Sequence, residues 1–242
     1  MICITADDYG SSASANTAIE SLVRARAVSA VSIMAHAGAD LRSLDSLTDS
    51  SVSIGLHITW TGAGTQHADY RELLGALAIG RTRLANLAAE ARAQAERLLS
   101  RGVRLAFLNA HEHVHLFPML WPTFARLASE LGVRAVRIAL GQPVDASLQG
   151  ALAACSRVDW TLQSGPWRVM SPLGVGRAGS IDERSLGALL DRPFLLGVHR
   201  LRELCVHPDL GQADRRREHD LLASGAFVRV LEARGLHLAT LE

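Results

Sequence analysis

The 242-residue chain has no lysine: all 25 of its basic side chains are arginine. Schiff-base catalysis, a phosphate-loop lysine and a lysine general base are therefore excluded. Coding bias toward arginine accounts for the absence. Excess charge of either sign is missing too, with 25 basic against 24 acidic residues and a formal net charge of +1. No general electrostatic field is available to hold nucleic acid or an anionic membrane. The one basic run, Arg215 to Arg217, is followed at once by Glu218 and reads as a solvated helix face. Cysteine is scarce, and Cys3, Cys155 and Cys205 stand far apart, which excludes a disulfide framework or zinc ribbon and leaves reduced, buried thiols as the expectation. No stretch approaches the ~18 uninterrupted apolar residues of a membrane helix. The first residues reach Asp7 and Asp8 without the basic start and apolar core of a signal peptide. A cytoplasmic protein with no membrane span is expected.

What is present has the balance of a packed globular domain, 48% hydrophobic and 20% charged. Short apolar runs alternate with longer amphipathic ones. Ile2 to Thr5 reads as a strand and Ala13 to Ala25 as the helix after it; Ala30 to Met34 and Val52 to His57 are further strands, with a short helix near Leu41 to Leu47 between them. A polar, Gly-rich excursion from Thr59 to about Gly80 reads as a binding loop. Leu84 to Arg101 is the clearest helix, stopped by Gly102; Arg104 to Asn109 is a strand, Pro118 to Leu131 a helix and Ala135 to Ile138 a strand. The segment Gly141 to Gly179 yields a helix near Ala146 to Cys155 and a Gly/Pro-rich loop. A helix at Asp182 to Leu190, apolar runs at Phe194 to Val198 and Leu201 to Val206, a helical stretch over Asp214 to Arg234 and a closing strand at Leu236 to Leu241 complete the pattern. Repeated βα units imply a parallel sheet, open or closed. Asp7, Asp8, His57, His111 and His207 all fall just after strands, and barrel active sites are assembled from several strand ends. The expectation is a single-domain (β/α) barrel over residues 1–242, irregular or with fewer than eight strands.

Ten histidines are the main chemical signal, three of them within Asn109-Ala110-His111-Glu112-His113-Val114-His115. In an extended backbone, residues at i, i+2 and i+4 share a face. His111, His113 and His115 would then present three imidazoles to one side, a ligand arrangement for a divalent metal. Three strand histidines that merely hydrogen-bond would leave the same pattern. Asp7-Asp8 ends the first strand, where neighbouring carboxylates point in different directions, so one can bind metal while the other faces a substrate water. A helix-capping role for Asp8 or a nearby serine is the bland reading. His57 and His207, taken singly, read equally as packing residues. Their convergence at one barrel mouth is what favours chemistry.

Together, TADDYG, GLH, AHEHVHLFP, VRI and ELCVHP resemble, in order and over essentially the whole chain, the YdjC-like carbohydrate deacetylases, which include chitooligosaccharide deacetylase. The resemblance implies Asp7 as general base, Asp8, His57 and His111 as ligands of one divalent ion, magnesium or zinc, and His207 as general acid. It implies that Arg137 fixes the acidic group. His113 and His115 become outer or substrate-side residues. One departure stands out: the family usually has Asp-Ser before the first histidine of the cluster, and this chain has Asn109-Ala110. An aspartate there could orient a ligand imidazole; asparagine can accept one hydrogen bond without charge, and lower metal affinity, lower ligand basicity or a different site geometry is expected.

The function expected is metal-dependent removal of acetyl from an N-acetylated sugar or sugar conjugate. Water attacks the amide carbonyl, Asp7 takes its proton and His207 protonates the leaving amine. Trp60, Tyr70 and Trp167 could stack on a sugar ring, although packing roles suit each as well. The alternatives are another barrel metallohydrolase, such as a phosphoesterase with His113, His115 and Glu112 as additional ligands, or a carbohydrate-binding homologue without turnover. A homodimer is the default for a soluble oligomer.

Overall fold

The computed structural model describes residues 1–48, 50–138, 167–175, 177–191 and 200–241. Seven parallel strands close in chain order into a barrel: β1 (Cys3–Tyr9), β2 (Ala30–Ile33), β3 (Ser53–Ile58), β4 (Phe107–Ala110), β5 (Ala135–Arg137), β6 (Arg168–Leu173) and β7 (Arg200–Val206). β1 meets β7 with Cys3 opposite Glu203 and Thr5 opposite Cys205, which closes the ring. A strand count below eight agrees with the sequence reading, whereas β6 has no counterpart in it. The strand runs Leu201 to Val206 and Ala135 to Arg137 agree with that reading within a residue or two. The expected helix at Ala146 to Cys155 and the apolar run Phe194 to Val198 lie outside the described residues.

Period-two alternation sorts each strand into an inward and an outward set. Outward-facing Ile2, Ile4, Val31, Ile54, Leu108 and Val136 join the main core under the helices. The inward set changes character along the axis. At the floor, Cys3, Ala30, Phe107, Ala135, Met170 and Leu201 form a separate apolar plug, one residue from each of six strands. Higher up, the same faces carry Thr5, Ser32, Asn109, Arg137, Glu203 and Cys205, all buried. Gly55 is required at this floor, because a Cβ there would meet the Phe107 ring at 2.5 Å.

The surrounding helices are α1 (Ala13–Arg24), α2 (Asp45–Thr48), α3 (Tyr70–Ala78), α4 (Leu84–Leu99), α5 (Trp121–Glu130), α6 (Glu183–Leu190), α7 (Ala213–Ala223) and α8 (Gly225–Glu232). α1 is capped by Ser12, whose hydroxyl accepts from Ala15 N–H at 3.0 Å, and buries Ala15, Ala18, Ile19 and Leu22 at helical spacing. α3 lies inside the excursion expected to be loop throughout. The stretch from Asp214 to Arg234 is two helices, α7 and α8. The expected strand Leu236 to Leu241 is a tail with a single bridge, Ile2 to Leu238. It crosses the barrel floor, where Leu241 N–H donates to Ser53 Oγ at 2.7 Å and its side chain completes the plug. Among the described residues, no helix is long and apolar enough to cross a membrane.

Candidate metal centre and catalytic site

Regular alternation would point Asp7 into the barrel and Asp8 away from it. A bulge changes this: the pairing of β1 with β2 shifts register between Ala6 and Tyr9, and Asp8 takes φ of 68°. The left-handed residue turns its carboxylate toward the mouth, so both neighbours serve one site. Gly10 follows with φ of 96°, and a Cβ there would lie 2.6 Å from the Met34 carbonyl oxygen. The chain thus bends from β1 into α1 at a position only glycine fills without displacement.

Asp8 Oδ1 lies 3.3 Å from His57 Nε2 and 3.3 Å from His111 Nδ1. One ligand atom from each residue falls within 4.8 Å of the other two. Asp8 Oδ1 is buried and lacks a hydrogen-bond partner, as a ligand oxygen awaiting a cation would. One carboxylate and two imidazoles also match the donor set of divalent metal sites. The residues therefore fit the metal. Asp8 Oδ2 is held from outside by Arg215 Nη1 at 2.8 Å, which leaves Oδ1 to face the histidines. Burial works to raise the proton affinity of Asp8, but the neighbouring His111 and His57 imidazoles outweigh it and hold the carboxyl well below its usual range.

Asn109 stands behind His57, paired with it across β3 and β4. Its Oδ1 accepts from His57 Nδ1 at 2.8 Å and from the Ser32 hydroxyl at 2.5 Å, and its Nδ2 donates to Asp7 Oδ1 at 3.2 Å. Asp7 can only accept, so the amide orientation is set by its neighbours. Nδ1 of His57 therefore carries the proton and Nε2 is free for metal.

Asp7 is wholly buried. Arg137 donates to both its oxygens, at 2.5 and 3.0 Å, and bridges likewise to Glu203 at 3.0 and 2.7 Å. Cys205 Sγ donates to Asp7 Oδ2 at 3.1 Å, and His207 Nε2 lies 3.8 Å from the same oxygen. Burial favours a protonated Asp7, yet Arg137, His57 and His207 together hold it below the ordinary carboxylate range. Glu203 shares the same guanidinium from the other side. Burial also keeps the Cys205 thiol protonated, despite Arg137. Asp7, Cys205 and His207 form a second group of metal-ligand type among the described residues. Asp7's engagement by Arg137 and the protonated thiol argue against a cation there.

The His-x-His-x-His expectation needs correction. After β4 the chain enters a 3₁₀ turn, His111–Leu116, in which Glu112 and His113 have φ of 50° and 54°. The three imidazoles consequently do not share a face, and only His111 reaches Asp8. His115 Nε2 bonds the Arg137 carbonyl oxygen at 3.0 Å, while His113 is buried with Nδ1 unpartnered. Trp60 does not face a sugar site either: its buried indole donates to the Leu87 carbonyl at 2.9 Å. Trp167 is buried, and Tyr70 stacks on Phe117 with ring centroids 6.3 Å apart.

Two residues of α7 join the site without having been singled out by sequence. Arg215, expected on a solvated face, reaches Asp8. Glu218 is fully buried and accepts from His207 N–H at 2.8 Å and from Gly179 N–H at 2.7 Å. Burial pushes its carboxyl up to about 7, against those backbone bonds. The spacing of Arg215 and Glu218, three residues apart on one helix face, was the available signal.

No curated protein matches the chain by sequence. Its fold is shared by a proposed cellobiose-phosphate cleavage protein from Enterococcus faecalis V583, at 18% identity and TM-score 0.74, covering 99% of this chain and 97% of that one. The lactam utilization protein of Thermus thermophilus is more distant in shape, with 16% identity, TM-score 0.52 and 99% of both chains covered. An uncharacterized protein of Agrobacterium tumefaciens C58 aligns at 12% identity and TM-score 0.54, over 99% of this chain and 86% of that one. The family profile described as YdjC-like protein matches residues 1–233, and with the motifs around Asp8, His57 and His111 in place, the chain belongs to the YdjC-like family.

Proposed function

We propose that the protein is a metal-dependent hydrolase that removes acetyl from an N-acetylated sugar. The observation that carries the reading is the convergence of Asp8, His57 and His111, with an orphaned Asp8 Oδ1, beside the Asp7 and His207 pair. Asp8, His57 and His111 would hold a divalent ion, magnesium or zinc, which would supply Lewis acidity to the acetamide carbonyl and to water. Asp7 accepts the water proton as oxygen bonds to the carbonyl carbon. Arg137 and Glu203 keep Asp7 in place while its charge changes. His207, 3.8 Å from Asp7 Oδ2, delivers a proton to the amide nitrogen, so that the C–N bond breaks to free amine and acetate. Burial lowers the proton affinity of His207, opposed by Asp8 and Asp7; the proton it delivers to the amine is made good by the one Asp7 took from water, which returns both groups to their starting states.

The test is to incubate metal-loaded protein with N-acetylated mono- and oligosaccharides and quantify acetate, with p-nitrophenyl phosphate as the control for a phosphoesterase. Acetate release that falls at least about 1,000-fold in Asp7→Asn supports the assignment. Phosphate release without acetate, or full acetate release by Asp7→Asn, overturns it.

A further inference from the structure

Beside the metal ligands, a cavity of about 540 Å³ opens between the end of β2 and the turn after β3. Asp8 and His111 form its inner wall. The outer wall is His36, Thr61 and the turn Gly62-Ala63-Gly64. The turn is built to stay open: Gly62 and Gly64 have φ of 99° and 81°, and a Cβ on them would lie 3.4 Å from His111 Nε2 and 3.0 Å from His36 Nε2. It is also rigid at its root. Gln94, buried on α4, clamps Thr59 through both backbone groups, at 2.9 and 2.8 Å, and Gly62 N–H donates to the His67 carbonyl at 2.9 Å. Arg97 holds the Ala35 carbonyl at 2.8 Å and so steadies the backbone carrying His36.

Two polar side chains of this wall have no protein partner. Thr61 is fully buried and its hydroxyl makes no hydrogen bond; His36 is 9% exposed and its Nδ1 is likewise unpartnered. Buried polar groups in native proteins are nearly always satisfied, and exceptions mark places where something else supplies the partner. The charged groups around the cavity are already engaged. Arg215 is on Asp8, and Asp209 accepts from Gly211 N–H at 2.7 Å, Gln212 Nε2 at 3.2 Å and the Ser12 hydroxyl at 3.5 Å. Asp209 also places a negative charge beside the Ser12 cap of α1, which disfavours a second anion there. Burial, with Arg97 and His111 nearby, keeps the His36 imidazole neutral, so it can donate from one nitrogen and accept at the other.

We propose that His36, Thr61 and the Gly62–Gly64 turn form a subsite for an uncharged, hydroxyl-bearing sugar ring next to the metal ligands. The proposal deepens the hydrolase reading and rests on it. It makes His36 and Thr61 determinants of specificity that favour a neutral ring over a phosphorylated one.

Calorimetric titration of metal-loaded protein with N-acetylglucosamine and with its 6-phosphate tests this, using Thr61→Val, Thr61→Ser and His36→Leu alongside. The neutral sugar should bind, with Thr61→Val and His36→Leu weakening it by about 3- to 10-fold, Thr61→Ser retaining it, and metal affinity constant throughout. Absent sugar binding, unchanged affinity in both weakening variants, tighter binding of the 6-phosphate, or a parallel loss of metal affinity and melting temperature in both overturns the subsite. Sugar binding that responds as expected, with no acetate released from any substrate, removes the hydrolase reading and leaves the subsite standing.

Discussion

Asn109 joins the two halves of the site without adding charge. Its carbonyl orients the His57 imidazole and its amide nitrogen bonds Asp7 at 3.2 Å. A carboxylate in its place would face Asp7 across the same gap, and one of the two would have to take a proton. Asparagine is therefore a consistent choice beside a doubly engaged Asp7, and the weaker-ligand expectation drawn from it omitted this second bond. Asn109→Leu removes the acceptor for His57 Nδ1 and should raise the metal dissociation constant by about 10- to 100-fold, read by competition with a chromophoric chelator. Residues announced by local motifs, Asp7, Asp8, His57 and His111, were legible because strand ends and their spacing are properties of short segments. Glu203 was not, since a single acid in the apolar run Leu201 to Val206 carries no signal until the barrel sets Arg137 against it.

At the scale of elements, backbone conformation decided which side chains could meet. The extended reading of Asn109 to His115 failed because Glu112 and His113 adopt left-handed φ, which a non-glycine sequence does not advertise. The β1 bulge had the opposite effect and brought Asp8 in. Its exit depends on Gly10, so Gly10→Ala should cost about 2–4 kcal/mol in urea unfolding, from strain at positive φ and the clash with Met34. α7 shows how a polar helix can still be half internal, with Arg216 and Arg217 exposed while Glu218 is buried. The Glu218 carboxyl titrates near 7 in the fold against 4.5 ordinarily. Its raised value means the protonated form suits the folded state. Below pH 4.5 no penalty applies, and stability falls by up to about 3 kcal/mol as pH rises through 7. Glu218→Gln should flatten that decline in urea midpoints measured between pH 4.5 and 8, while lowering stability overall because an amide nitrogen then faces a backbone N–H.

Across the whole molecule, the barrel stacks an apolar floor beneath a polar upper interior, so the site's charges sit on a packed plug closed by Leu241. On the proposed reading, those charges couple folding to metal binding. Saturation at about 100 times the dissociation constant should stabilise the protein by about 2.7 kcal/mol, seen as a fall in melting temperature on chelation. Asp8→Asn, lacking the ligand carboxylate, should lose most of that response. The sequence by itself determined the βα rhythm and the placing of acids and histidines at the strand ends, because periodicity and motif spacing are encoded over a few residues. Only the tertiary structure decided the seven-strand closure, the tail's place across the floor, the separation of His111 from His113 and His115, and the arrival of Glu203, Arg215 and Glu218. Those outcomes depend on ring closure, helix rotation and left-handed backbone turns, which act between segments far apart in the chain.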